Sequence, residues 1–273
     1  MINLSFCVPT LRPDNIAELY NSIVMNLPDV TGRNFELILC GPNKPVNQYQ
    51  IEDKIVDLPP NTTFIQDYGS PVRALSIACE AAQGKYITTI ADDAQYLSKS
   101  IIRAIIKLEK WEETHGNSYK HVVVGKYVEG NMPWWMMTIE TGLLGYSLNT
   151  GYAKCSFIPD DWIGFNSFYM HKEYFNELGG FDNQFEVTCV ASADLAARAQ
   201  RDGCTTELMD EPTFVVSHQP NMTGDHGPVH KAQGEHDIPL YSNIYNNDEC
   251  LNRIKVKEHN WKDAPEKWER RFN

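Results

Sequence analysis

Asp92 and Asp93 stand side by side directly after an apolar run, Tyr86 to Ala91. Two adjacent carboxylates repel each other unless something positive lies between them and a ligand, and a divalent ion bound to a diphosphate meets that need. A solvated turn is the alternative, since aspartate is common after strands. His218 follows a second apolar run, Thr213 to Ser217. Imidazole is a good ligand for Mn²⁺, so His218 is a candidate metal ligand. A strand-end histidine held by backbone hydrogen bonds is the other reading. Trp134 and Trp135 occur in an aromatic, methionine-rich stretch, Met132 to Met137. Aromatic faces stack on sugars and on flipped or single-stranded bases, and they equally pack in cores. His226 and His230 are four apart, but Gly227 and Pro228 between them argue against a helical zinc pair.

Positioning these groups requires a particular order of elements. Asn3 to Pro9 is a short apolar run ended by proline, which suits a buried strand. Ile16, Leu19, Tyr20, Ile23, Val24 and Leu27 then recur at helical spacing after Pro13-Asp14. Phe35 to Cys40 reads as a second buried strand closed by Gly41-Pro42-Asn43, residues 44–61 as loop or edge structure, and Thr62 to Ile65 as a third strand. Ser70 caps a helix running to about Gln83, with Pro71 in its first turn and Gly84 as its stop. The strand Tyr86 to Ala91 runs into Asp92, and Ser98 caps a helix carrying Ile101, Ile102, Ile105 and Trp111. Strand-helix alternation of this kind predicts a mainly parallel, doubly wound sheet that binds ligands at the carboxyl ends of its strands. In the second half the patterns predict strands at His121 to Tyr127, Gly164 to Met170, Thr205 to Met209 and Thr213 to Ser217. They also predict helices at His171 to Leu178 and from about Ser192 to Asp202. Loop and short helix follow His218, and no repeat is visible.

With 273 residues, 42% hydrophobic and 22% charged, the chain has the makeup of a folded globular protein, and disorder and coiled coil are disfavoured. No stretch approaches the roughly 20 apolar residues of a membrane helix, and Met1 to Pro9 lacks the pattern of a signal peptide, so a cytoplasmic location is expected. Seven scattered cysteines with no CxxC pair read as reduced, buried thiols. A net charge of -12 argues against a general DNA-binding surface. The exception is Leu251 to Asn273, where seven Lys or Arg face four Asp or Glu, giving +3 against -15 for the rest.

The stretch Gly69 to Asp93, with a Gly-loop, an arginine-bearing helix and Gly84-Lys85-Tyr86 leading to an acidic strand end, resembles the nucleotide-sugar glycosyltransferases of the A-type (GT-A) fold, particularly family 2. Three further segments agree in order: Leu4 to Thr10, Phe35 to Asn43, and Leu178-Gly-Gly-Phe-Asp182 with Asp194-Leu-Ala-Ala-Arg198. The resemblance implies a GT-A-type α/β fold, a mixed and mainly parallel sheet flanked by helices. It implies one domain over residues 1–220, with a donor half (1–115) and an acceptor half (116–220), and a C-terminal extension (221–273) packed on it. It also implies that Asp93 coordinates Mn²⁺ or Mg²⁺ on the diphosphate of a donor such as a UDP-sugar, with His218 as a further ligand. Asp92 would contact ribose, sugar or metal-bound water. Pro9, Thr10, Arg12, Gly41 and Asn43 would line the nucleotide, and Arg73 would pair with phosphate or with Asp92 unless it is an ordinary surface cation. Trp134 and Trp135 would lie on the acceptor side.

Two departures from the family pattern stand out. Ala91 replaces the first carboxylate of the DxD-like motif, and the Glu-Asp pair whose aspartate is the general base of inverting members falls on Ala191-Ser192. Asp194, Glu186 and Asp182 are the candidates to replace that base; for Asp194 the alternative is a first-turn carboxylate behind a Ser192 cap. The expected reaction is transfer of a sugar from a nucleotide-diphosphate donor to a hydroxyl acceptor, either a glycan or a hydroxymethylated base in DNA. A nucleotidyltransferase is less well supported, because Thr10-Leu-Arg-Pro13 has no glycine to cradle a triphosphate. The non-enzymatic alternative is a nucleotide-sugar-binding protein that has lost catalysis.

Overall fold

The computed structural model describes residues 2–27, 34–45, 49–51, 54–56, 58–97, 99–116, 118–129, 138–140, 158–159, 161–216 and 226–273. In chain order the elements of the first half are β1 (Ile2–Pro9), α1 (Ile16–Asn26), β2 (Asn34–Gly41), β3 (Tyr49–Ile51), β4 (Lys54–Val56), β5 (Thr62–Gln66), α2 (Pro71–Ala81), β6 (Tyr86–Thr89), β7 (Ala94–Tyr96) and α3 (Ser100–Thr114). The second half comprises β8 (His121–Glu129), β9 (Thr138–Glu140), β10 (Phe168–His171), α4 (Lys172–Glu177), α5 (Thr188–Arg201) and β11 (Thr205–Val216). It ends with α6 (Gly227–Ala232), a π-helical turn (Gln233–Asp237), α7 (Ile238–Tyr245) and α8 (Glu269–Phe272).

The main sheet runs β5-β2-β1-β6-β10-β8-β11-β7, with β9 added on β8. The first four strands are parallel. β10 is antiparallel to both β6 and β8, so β8 and its parallel neighbour β11 point the same way as β1. Alternate residues of the central strands feed two cores, one on each face. Leu4, Phe6, Val8, Leu37 and Leu39 pack with Ile16, Leu19 and Ile23 of α1 and with Ile101 and Ile105 of α3. Cys7, Ile38 and Cys40 face Val72, Leu75 and Cys79 of α2 and Leu195 of α5. Burial on both faces is why these strands read as continuous apolar runs. Each fully buried Leu, Ile or Phe contributes about 1.5–3 kcal/mol.

The mainly parallel first half is as expected, but several local readings change. β7 was not anticipated: the chain leaves β6 and, within a few residues, joins the far edge of the sheet beside β11. Asp92 and Asp93 form that crossing. α3 begins at Ser100 rather than at Ser98, which lies outside the described residues. Lys99 precedes it with φ 59, and the Ser100 amide donates to Asn26 Oδ1 at 3.1 Å. β11 continues through Pro212 with register irregularities there, where a missing N–H is tolerated. α5 starts at Thr188, four residues before the proposed Ser192 cap, so Asp194 lies beyond its first turn. The reason is tertiary. The Asp237 side chain accepts the Glu186 amide at 3.0 Å and the Val187 amide at 2.7 Å, fixing from 50 residues away the chain that leads into the helix. Among the described residues six cysteines are free thiols. Cys189 is exposed and Cys204 intermediate, against the expectation of burial. No helix of the described residues is long and apolar enough to cross a membrane.

Candidate functional site

At the carboxyl edge of the parallel strands the backbone is tightly closed. The Thr10 amide donates to Cys40 O at 2.8 Å and the Asp67 amide to Gly41 O at 3.1 Å, joining the ends of β1, β2 and β5. Gly41 is required here, because a Cβ would sit 1.8 Å from the Thr10 carbonyl oxygen. This edge gathers Pro9, Thr10, Arg12, Gly41, Asn43, Asp92 and Asp93.

Arg12 holds both aspartates. Its Nε and Nη2 donate to Asp92 Oδ1 at 2.9 and 2.5 Å, and its Nη1 donates to Asp93 Oδ2 at 2.8 Å. Asp92 Oδ2 also accepts the Leu11 amide at 2.9 Å, the Arg12 amide at 2.8 Å and the Thr10 hydroxyl at 3.3 Å. With both oxygens engaged by protein donors, Asp92 shapes the Thr10–Arg12 loop rather than reaching for ribose or sugar. Both carboxylates are buried, whereas the Arg12 side chain is 29% exposed. Arg12 is thus shared between the two carboxylates. Asp93 is the residue here that could hold a hard divalent cation, since such ions are commonly held by one or two carboxylates plus phosphate oxygens. No group of three or more His, Cys, Asp or Glu converges as a ligand set among the described residues, and His218 lies outside them. Trp134 and Trp135 also lie outside them. His226 and His230 have ring centroids 6.1 Å apart, and Gly227-Pro228 opens α6 between them.

Arg73 is turned away from Asp92. Its Nε donates to Asp67 Oδ1 at 3.0 Å, its Nη1 donates to the carbonyls of Trp261 and, at 3.1 Å, Ala264, and its guanidinium lies 5.1 Å from the Trp261 ring centroid. Neither expected role, phosphate ligand or exposed cation, fits a residue that is 6% exposed. It ties the start of α2 to the C-terminal segment. The Trp268 amide, which donates to Tyr68 O at 2.8 Å, makes a second tie.

The three candidate bases are all engaged. Asp194 is completely buried; its Oδ2 accepts Arg198 Nε at 2.7 Å, and its Oδ1 accepts Arg253 Nε at 2.9 Å and the Tyr245 hydroxyl at 2.8 Å. Burial pushes this carboxyl up, but Arg198 and Arg253 outweigh it and hold the group below the usual aspartate range. A carboxylate so enclosed cannot meet an acceptor hydroxyl, so Asp194 is an anchor. Asp182 accepts the Gln184 amide at 2.9 Å and also pairs with Arg253. Glu186 accepts Arg270 Nε at 2.6 Å, and Arg270 Nη1 reaches Glu235 at 3.2 Å. Sequence reasoning missed Arg253, read as one cation of a basic tail, and the pair His236-Asp237. In that pair His236 Nδ1 lies 2.8 Å from Asp237 Oδ1.

No protein-family model matches the sequence, and no curated protein matches it. Solved structures do. Residues 1–349 of S. aureus TarS superpose with a TM-score of 0.51 at 14% identity, over 93% of this chain and 70% of that one. The same segment of S. aureus TarS in complex with UDP gives a TM-score of 0.49 at 15% identity, again over 93% and 70%. The likeness is one of architecture: the chain has the A-type glycosyltransferase fold that its sequence led us to expect.

Proposed function

We propose that this protein is a glycosyltransferase that moves a sugar from a nucleotide-diphosphate donor, such as a UDP-sugar, to a hydroxyl acceptor with the aid of Mg²⁺ or Mn²⁺. The observation that carries this reading is the Arg12–Asp92–Asp93 constellation at the carboxyl edge of the parallel strands, where open α/β sheets bind their ligands. Asp92 fixes the loop over the nucleotide, Gly41 lets β1 and β2 close beneath it, and Asp93 offers the ion its protein oxygen. When bound, the ion neutralises the departing diphosphate as a Lewis acid. Arg12, partly exposed and already at the carboxylates, adds positive charge where the leaving group gains negative charge.

A nucleotidyltransferase would need free backbone amides after β1 to cradle a triphosphate, and the Leu11 and Arg12 amides are spent on Asp92. A glycan or another uncharged hydroxyl compound suits the acceptor better than duplex DNA. Within the basic tail Arg253 pairs with Asp182 and Asp194, Lys257 with Asp263 at 2.5 Å, and Arg270 with Glu186 and Glu235. Three of the tail's seven cations are thus committed to carboxylates, which leaves fewer of them to grip phosphates. The test is thermal unfolding against nucleoside diphosphates and UDP-sugars with and without Mn²⁺. A ligand at 100 times its Kd stabilises by about 2.7 kcal/mol, so a Mn²⁺-dependent rise of a few degrees with one nucleotide class is expected. No shift with any nucleotide refutes the reading.

A further inference from the structure

We propose that His236, oriented by Asp237, is the general base that deprotonates the acceptor, in place of the carboxylate missing at Ala191-Ser192. This inference rests on the glycosyl-transfer reading above. Its first support is position. α5 ends at Arg201 and turns through Gly203 into Thr205, which pairs in parallel with His121, the first residue of β8. β8 runs the same way as β6 and β1, so α5 ends at the amino edge of the sheet and begins at the carboxyl edge, the edge that carries Arg12, Asp92 and Asp93. The π-helical turn Gln233–Asp237 is docked on that beginning, because Asp237 accepts the Glu186 and Val187 amides there. The C-terminal segment spans the same edge. The Tyr68 ring, one residue after Asp67, meets Phe272 edge-on at 5.7 Å, while Arg270 reaches Glu186.

The second support is chemical form. Asp237 is fully buried, with three backbone-amide contacts to its oxygens and His236 Nδ1 at 2.8 Å from Oδ1. Burial pushes its carboxyl up, against the pull of His236 and the two amides. A carboxylate that accepts on both oxygens selects the Nδ1–H tautomer, which leaves the lone pair on Nε2. The His236 side chain is 38% exposed, while its Nδ1 is turned to Asp237. This is the oriented-imidazole arrangement in which the acid holds the ring and stabilises the imidazolium that forms. Beside this turn Glu186 and Glu235 both pair with Arg270. A single π turn inside a helical run is also a recurrent mark of a functional position.

In the step itself, Nε2 of His236 takes the acceptor's O–H proton as the oxygen forms its bond to the anomeric carbon. The bond from that carbon to the diphosphate oxygen breaks with its electron pair leaving on the nucleoside diphosphate. The imidazolium returns its proton to solvent after products depart. Asp237 is a positioning residue.

The experiment uses the full chain, with UDP-glucose and UDP-N-acetylglucosamine as donors and water as acceptor. UDP release and UDP affinity are measured with Mn²⁺ for wild type, His236→Ala and Asp237→Asn. His236→Ala is expected to lower kcat by about 10²-fold or more, with donor KM and UDP affinity unchanged, and added imidazole is expected to restore part of the rate. Asp237→Asn is expected to slow turnover without such rescue. Wild-type turnover in His236→Ala, or a loss that imidazole does not restore, overturns the assignment and leaves the donor reading intact. UDP binding by wild type without release from either donor does the same. Absence of any nucleotide binding overturns both.

Discussion

Replacing Asp194 by asparagine separates an anchoring role from a catalytic one. The substitution keeps the side-chain volume and removes the charge that Arg198, wholly buried, and Arg253, 18% exposed, both face at 2.7 and 2.9 Å. Taking one partner from a buried ion pair costs about 3–5 kcal/mol, because the remaining charge stays desolvated. Arg198 keeps the Leu178 and Gly180 carbonyls at 2.8 and 2.6 Å and Arg253 keeps Asp182, so the lower end of that range is expected. For a chain of this size, with about 2–4 °C lost per kcal/mol, melting should fall by about 6–12 °C. The pH dependence has a definite sign. A carboxyl held below its ordinary range contributes stability that is complete at neutral pH and lost as pH falls through the aspartate range and below. The gap between wild type and variant should therefore be full at pH 7 and close in acid. Melting by circular dichroism from pH 3 to pH 8, with UDP release measured well below the variant's melting temperature, provides the assay. Unchanged melting at pH 7, or a normal melt with turnover lost by about 10²-fold, would refute the anchor role and restore Asp194 as a base.

Asp93→Ala should remove the Mn²⁺-dependent part of UDP affinity, a loss of about tenfold or more, while binding without metal changes little; calorimetry with and without Mn²⁺ decides it. Gly41→Ala must force β1 and β2 apart at Thr10, costing about 1–3 kcal/mol. UDP affinity should fall with it, and a variant with wild-type melting and binding would show that the close approach is dispensable. Glu186→Gln, whose partner Arg270 also holds Glu235, should leave turnover within about twofold of wild type, since exposed or half-exposed pairs contribute about 0–1 kcal/mol. A large loss would return Glu186 to the list of bases.

The carboxyl edge of the parallel strands was legible because its signals are local. Proline or glycine ends β1 and β2, Ser70 and Pro71 open α2, and the acidic pair follows an apolar strand. Each of those features is decided by a few neighbouring residues. The second half was read less well because its decisive contacts lie far apart in the chain. Ser192 satisfies every local rule for a helix start, yet α5 begins earlier because Asp237, 50 residues on, binds the Val187 amide. Arg253 reads in the sequence as one cation of a basic tail, and only the fold shows that it neutralises two buried aspartates. Arg73 was recognised as notable on the right helix but given the wrong partner, since Asp67 and the Trp261 carbonyl were not visible as its neighbours. β7 is three residues long, too short for periodicity to reveal.

The distance along the chain between Asp194 and Arg253 also sets an order of events during synthesis. Arg253 lies 59 residues after Asp194, so at about 5–20 residues per second the ribosome needs about 3–12 s after making the aspartate to supply its second arginine. During that interval the parallel strands of the first half can already pair, while the second half holds a buried charge without its full complement. The nascent protein would thus pass through a stage with formed parallel strands and a loose second half. Chaperones would meet it at that stage, and the arrival of Arg253 would complete it.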